Sequence, residues 1–365
     1  MMYENLPPTM AGVQLIGHGG FDMLQYRNDI PLPKLEFGEV LIRVGAAGIN
    51  NTDINTRTAW YSKAVTGGTN VGGEGGFAQA NDDDGSWAGE ALEFPRIQGA
   101  DCCGEIVAVG EGVDQSRMGE RVLVRSIQKT GLAGEYICRT FGSECDGAFA
   151  QYTKTASADA ITVQSQLSDA ELASFPCAYS TAEGMLERAG VGAETVLITG
   201  ASGGVGSAAV QLAKRRRARV LAIASASKAS AVAALGADRV IERGRDLREE
   251  IDADSIDVVI DLVAGPDWPP LLDVLRRGGR YVTAGAIAGP IVEFDVRTLY
   301  LKDLSFFGCT YQPESVFENL VGYIERSEIT PVLAQTWPLE EIVAAQEAFL
   351  SKAHTGKLVL IPPQS

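Results

Sequence analysis

Histidine is almost missing from this 365-residue chain: His18 and His354 are its only two. A catalytic zinc takes three protein ligands, most often histidine, cysteine or carboxylate, so this scarcity narrows the metal chemistry to be expected. Cysteine is also sparse. Cys102, Cys103, Cys138, Cys145, Cys177 and Cys309 form no C-x-x-C pair, which argues against a zinc ribbon or a disulfide framework and predicts a reduced, cytoplasmic protein. Positive charge is in deficit. Lys and Arg number 31 against 47 Asp and Glu, a net charge of −16 that disfavours nucleic acid and anionic membranes as partners. The N-terminus shows no basic start followed by an apolar core and a small-residue cleavage site, so no secretory leader is expected. Long apolar runs are missing as well: the uncharged stretch Thr195 to Ala213 is broken by Gly200, Gly203, Gly204 and Gly206 and changes period midway, as strand, turn and helix would.

What is present is ordinary for a soluble enzyme. With 45% hydrophobic and 21% charged residues the chain has a globular composition, and its length suits two domains. The one dense basic run, Lys214 to Arg217 with Arg219, ends a predicted helix, where cations complement the macrodipole.

Residues 1 to about 165 carry short β-type runs broken by glycine: Val40 to Val44, Ile106 to Val109 and Arg121 to Val124. Such spacing predicts a barrel-like β domain. Between the first two runs lies an insert, near residues 64–93, with Gly67, Gly68, Gly72, Gly73, Gly75 and Gly76 followed by Asn81 to Gly85. This composition marks a long loop, either mobile or a substrate lid, and its acidic part lacks the ligand spacing of an EF-hand. From about Glu194 the pattern changes. Apolar runs at Val196 to Thr199, Val220 to Ile223, Arg239 to Ile241, Asp257 to Asp261, Tyr281 to Thr283 and Leu304 to Phe307 alternate with helical stretches, which predicts a doubly wound parallel sheet. A final strand, Lys357 to Ile361, is expected to return to the first domain. The domain division so predicted is 1–165 with 325–365, and 166–324.

The turn Gly200-Ala201-Ser202-Gly203-Gly204-Val205-Gly206 follows the first of these strands and opens a helix. A glycine-rich turn lets backbone approach a pyrophosphate, and a helix N-terminus supplies free N–H groups and positive potential. The site is therefore expected to bind a dinucleotide. An NAD site usually places Asp or Glu about 20 residues after the first glycine, to accept from the ribose 2′-hydroxyl. No acid occurs between Glu194 and Asp238. Ser225, Ser227 and Lys228 stand there instead, with Arg243 after the third strand, a set suited to a 2′-phosphate and hence to NADPH; the alternative is that Lys228 only solvates a helix start and either cofactor is accepted.

Further motifs give the chain a family likeness. Gly48-Ile-Asn50-Asn-Thr-Asp53 with Tyr61 eight residues on, Gly99-Ala-Asp101, Gly119-Glu-Arg121, Gly147-Ala-Phe-Ala-Gln-Tyr152, Ser180-Thr181-Ala182, the glycine turn and Gly356-Lys357 resemble the medium-chain dehydrogenase/reductase superfamily, and within it the zinc-independent quinone oxidoreductase branch. The resemblance implies a GroES-like β-barrel catalytic domain plus a Rossmann α/β domain, with the cofactor between them. It implies Asn50 and Tyr61 at the nicotinamide end, Thr181 on the nicotinamide amide, Val263, Ala286, Phe307 and Cys309 along the ring, and Lys357 near the cofactor. Zinc-dependent relatives would have Cys at Asn50 and His-Glu at Ala100-Asp101, leaving Cys177 as the one ligand-type residue, so no metal is expected. Cys138 and Cys145, in the region of the structural-zinc lobe, read as plain small residues. Hydride addition to a quinone or enone creates an oxyanion that needs a donor, for which Tyr61, Asn50 or a positioned water is suited. Asp53 completes the motif, in a structural role or in the catalytic set. The expected activity is NADPH-dependent reduction of a quinone or α,β-unsaturated carbonyl by a homodimer paired along Leu304 to Cys309. The alternatives are a zinc-type alcohol dehydrogenase and a cofactor-binding structural or sensor protein without catalysis.

Overall fold

The computed structural model describes residues 6–130 and 135–364. In the N-terminal half, strand Glu39–Gly48 lies at the centre of an antiparallel array. Strand Cys103–Val109 pairs with one edge of it and Tyr152–Ala156 with the other, and Arg121–Val124 and Ala160–Thr162 extend the first side. Val40, Leu41, Ile42 and Val44 are fully buried there, since the strand has neighbours on both faces. A smaller sheet of Leu24–Pro31, Thr9–Leu15 and Arg96–Ile97 covers the flank. The last strand does return: Lys357–Ile361 pairs Val359 with Gly48 and Leu360 with Ala47, and carries the parallel strand Leu333–Pro338 with it.

The second sheet is wholly parallel. Its order places Thr195–Ile198 at the centre, Arg219–Ala224 and Arg239–Glu242 on one side, and Ile256–Asp261, Leu275–Thr283 and Ser305–Gly308 on the other. Strand order therefore reverses between Thr195–Ile198 and Ile256–Asp261. In an open α/β sheet that switch point leaves a crevice at the carboxyl ends of the strands. The architecture is a GroES-like barrel joined to a Rossmann sheet: the barrel and the parallel sheet are those the sequence pattern predicts, and their identity is what the family resemblance implies.

The helix Gly204–Arg215 packs against Pro176–Arg188, with Gly204 close to Ala178 and Gln211 Nε2 donating to Tyr179 Oη at 2.9 Å, and its Ala208, Ala209 and Ala213 are fully buried. Its basic end is structural. Lys214 pairs with Asp238 at 2.8 Å, Arg215 with Glu328 at 2.5 Å and Arg216 with Glu183 at 2.5 Å, and Arg217 leaves the helix at φ 64°.

The insert contains one turn of 3-10 helix, Asp82–Asp84, and otherwise irregular chain. A buried cation fixes its base. Arg57, at the end of helix Asn51–Arg57, is fully buried, and its guanidinium donates to Gln346 Oε1 (3.0 Å), Gly19 O (2.9 Å) and Gly73 O (2.6 Å) while lying over the Phe21 ring. Burial among neutral acceptors pushes its pKa down to about 10. Because the fork joins three distant segments, truncation would leave three acceptors unpaired at once. Arg57→Ala is expected to cost roughly 2–4 kcal/mol in urea unfolding, with Arg57→Lys recovering only part of it.

Candidate active site

The glycine turn sits at the switch point. Gly200 adopts φ 59°, and a Cβ on Gly206 would stand 2.2 Å from Gly200 O, so the helix can begin this close to the strand only without a side chain there. Opposite the turn, the buried carboxylate of Asp261 organises the crevice floor. It accepts from Thr199 Oγ1 at 2.6 Å, Tyr281 Oη at 2.7 Å, Val263 N at 3.0 Å and Ala264 N at 3.2 Å. These bonds hold Ala264 at φ 51°, a conformation few alanines adopt.

A cleft of ≈ 690 Å³ opens between the domains along this turn. Ser202, Gly203 and Gly204 line it with Ser225, Lys228, Arg243, Val263, Ile287, Ala288, Lys352 and His354. Its volume falls in the range of small-molecule and cofactor sites. The cations crowd one another. Lys228 Nζ donates to the backbone O of Lys352 at 2.6 Å, and Lys352, at φ 51°, turns its own Nζ to Asn51 Oδ1 at 3.0 Å. Burial and the nearby Lys228 push the Lys352 ammonium down to about 7, and burial with both lysines pushes His354 down to about 4. Glu242 and Asp246 also reach the wall, but the Asp246 side chain is engaged as a helix cap, accepting from Arg248 N. Cations held together against their mutual repulsion beside a glycine cradle fit the phosphates of a dinucleotide.

A buried polar cluster stands where the two domains meet. Asp101 is fully buried; its Oδ1 accepts from Cys177 N at 2.6 Å, and its Oδ2 accepts from Asn50 Nδ2 at 2.9 Å and Lys357 Nζ at 2.8 Å. Lys357 Nζ also donates to Asn50 Oδ1 at 2.5 Å and Ile49 O at 2.8 Å, and the lysine stem runs past Gly204, where a Cβ would come within 2.9 Å of it. Both ends of the Asn50 amide are thus committed within the protein. Asp53 is committed too: Oδ2 accepts from Asn50 N at 2.7 Å and Oδ1 from Gly99 N at 3.3 Å, while burial pushes the carboxyl up to about 7. Its geometry is that of a cap at the start of helix Asn51–Arg57.

Tyr61 differs from both. Burial pushes its hydroxyl well above the usual phenol range, so it stays a donor, and it lies within reach of the Thr52 and Asn55 side chains. Thr52 Oγ1, Asn55 Oδ1 and Gln98 Oε1 are buried with no hydrogen bond of ordinary geometry among the described residues, which leaves Tyr61 Oη as the neighbour nearest in chemistry to Thr52 and Asn55. The ring is held by Trp60 and Trp87, at centroid separations of 5.6 and 5.3 Å. The positions at which zinc-dependent relatives would carry ligands hold Asn50, Ala100 and Cys177, and among the described residues no group of three His, Cys, Asp or Glu side chains is placed to hold a metal.

Of the residues expected from sequence at the cofactor, Ser202, Gly203, Gly204, Ser225, Lys228, Arg243 and Val263 share the cleft wall. Thr181, Ala201, Val205, Ser227, Ala286, Phe307, Cys309 and Lys357 lie outside that lining; Ser227 stands 3.2 Å from Ser225 Oγ, and Lys357 belongs to the buried cluster. Asp261 and Lys352 went unrecognised in the sequence. An acid closing an apolar strand at the switch point, and a lysine five residues before Lys357, are the signals that point to them.

Comparison with known proteins agrees with this geometry. Residues 36–165 match the family described as alcohol dehydrogenase GroES-like domain, and residues 204–326 the family described as zinc-binding dehydrogenase. The chain is 44% identical to a provisionally assigned alcohol dehydrogenase of Sinorhizobium meliloti, over 99% of each chain with a TM-score of 0.87. It is 29% identical to the acryloyl-coenzyme A reductase of Metallosphaera sedula, over 96% of this chain and 99% of the relative. With the quinone oxidoreductase of Lama guanicoe the identity is 27%, over 96% and 97%. In fold, in glycine turn and in these relationships, the chain belongs to the medium-chain dehydrogenase/reductase superfamily of oxidoreductases.

Proposed function

We propose that the protein is an NADPH-dependent reductase of a quinone or an α,β-unsaturated carbonyl compound that works without zinc. The observation that carries the reading is Tyr61: a half-buried side chain whose hydroxyl stays protonated within reach of the Thr52 and Asn55 side chains, near an asparagine whose amide is already spent. When bound, a nicotinamide cofactor would supply hydride. The chain's own part is to hold that cofactor on the glycine turn, exclude water at the domain junction and donate a hydrogen bond from Tyr61 to the developing oxyanion. Asn50 and Asp53 then act as positioning residues, since each is bonded into the frame that sets helix Asn51–Arg57. A conjugated acceptor needs only this stabilisation, whereas an alcohol would require stronger polarisation. The names of the quinone and acryloyl-thioester relatives support a conjugated substrate. In this reading residues 1–165 and 325–365 form the catalytic domain and 166–324 the cofactor domain. A second copy would pair along strand Ser305–Gly308, whose outer side is a sheet edge near the exposed Ile291, Val296, Tyr300 and Leu301; light scattering at micromolar concentration is expected to give a dimer mass.

The reaction is tested by turnover of a quinone, an enone and a primary alcohol, before and after chelation. The first two are expected to be reduced and to resist the chelator, and Tyr61→Phe is expected to lose about 10²-fold in turnover or more. Chelator-sensitive alcohol oxidation would overturn the reading.

Cofactor choice has its own test. Lys228→Ala is expected to weaken NADPH binding ~10- to 100-fold and leave NADH little changed. Lys352, pushed down to about 7 in the free protein, is largely neutral at pH 8 and regains its proton beside a phosphate. Binding at pH 8 should therefore take up a proton, and affinity should fall as pH rises above 7. Calorimetry in buffers of different ionisation enthalpy reads this uptake, which Lys352→Met should abolish.

A further inference from the structure

The glycine-rich insert leaves the barrel after Tyr61 and crosses to the other domain. Trp60 Nε1 donates to Gly67 O at 2.9 Å and sets the departure. Thr69, only 1% exposed, then donates its backbone N–H to Ile287 O at 3.1 Å. The approach is backbone against backbone: a Cβ on Gly68 would stand 2.6 Å from Ile287 O and 3.1 Å from the carbonyl carbon of Ala288. On their other side Ile287 and Ala288 line the cofactor cleft, and Ala288 N is tied to Val263 O at 2.9 Å. The insert is therefore bonded to residues that also wall the cofactor cleft.

The residues that follow Thr69 reach the end of a barrel-side helix. Asn70 Nδ2 donates to Leu350 O at 3.4 Å, and Gly73 lies so close to the Leu350 side chain that a Cβ would be 2.7 Å from Cδ2. Leu350 ends helix Ile342–Leu350, and the next two residues, Ser351 and Lys352, line the cleft. Behind both contacts the buried Arg57 holds Gly73 O at 2.6 Å. Residues 66–73 are thus attached to both sides of the cleft and anchored to the barrel.

We infer that this segment is a strap that holds the two domains closed over the cleft, and that it must part before cofactor can leave. Strap release then sets the rate of cofactor exchange, while hydride transfer in the closed complex does not depend on it. The inference rests on the nicotinamide reading above. Gly68→Val places a branched side chain against Ile287 O, and Gly73→Val one against Leu350, which does not line the cleft. Both should loosen the grip and give the same kinetic change, whereas an effect of Gly68→Val alone would mark damage to the cleft wall and overturn the strap. Stopped-flow displacement of bound NADPH, followed by its fluorescence, is expected to show dissociation faster by ~10-fold or more, with single-turnover reduction by the preloaded enzyme changed less than about 2-fold. The unaltered protein gives a second reading: saturating NADPH should slow hydrogen exchange of the Thr69 amide. Equal dissociation rates in wild type and Gly68→Val, or Thr69 exchange indifferent to NADPH, would overturn the strap. Failure of the wild type to bind NADPH or NADH at all is a separate result, which removes the nicotinamide reading on which the strap depends.

Discussion

A single buried ammonium connects the parts of this molecule. Lys357 lies on the strand that returns to the barrel, its stem crosses the glycine turn of the other domain, and its Nζ ends on Asp101, Asn50 and Ile49. Its side chain is 3% exposed and that of Asp101 is 0% exposed. Desolvating such a pair costs several kcal/mol, and the geometry must be excellent to recover it. Here it is: each Asp101 oxygen has a donor, and the ammonium has three acceptors. A pair of this kind adds little net stability over an apolar substitute, but it tolerates only one arrangement of its neighbours. Its effect is therefore on registration. It sets the start of helix Asn51–Arg57, the N-terminus of Pro176–Arg188 and the approach of the Gly204–Arg215 helix to the barrel, which are the three elements that meet at the domain junction.

The same logic, with opposite sign, governs the cofactor cleft. At the junction the ammonium of Lys357 is paired with Asp101; along the cleft, among the described residues, Lys228, Arg243 and Lys352 form no salt bridge, and burial, with Lys228 nearby, pushes the Lys352 ammonium down. A left-handed backbone at Lys352 and an ammonium whose pKa burial pushes down are costs that the isolated protein bears. They become useful once an anion arrives. The two neighbouring cation sites thus divide the work, one holding the domains and the other awaiting a ligand.

The sequence made the sheet legible because each parallel strand is an apolar run with a glycine or helical pattern after it, and these signals are local. Strand Ser305–Gly308 was recognisable from four residues, and the turn Gly200 to Gly206 from its spacing alone. What stayed hidden depends on distant partners. Asn50 looks like a free donor in sequence, yet its amide is consumed by Asp101, 51 residues away, and by Lys357, 307 residues away. Asp53 carries the same ambiguity, because a carboxylate at this spacing is compatible with catalysis until Gly99 N and Asn50 N are seen to occupy it. Arg57 resembles an ordinary surface arginine until three chain segments close around it.

The insert is the sharpest case. By composition alone, eight glycines and an acidic run describe a loop without preference for any surface, and both a mobile loop and a lid satisfy that pattern. The structure separates them through the glycines. Gly68 and Gly73 are not hinges in open space but points where backbone or side chain of another element has taken the volume a Cβ would fill. A segment gains this way only if its contacts are fixed, since the conformational freedom glycine brings must be surrendered on ordering. That loss is offset here by Arg57 at one end and Thr69 at the other. At Gly68 and Gly73 glycine thus marks close approach, and the residues that reveal it, Ile287, Ala288 and Leu350, lie outside the insert.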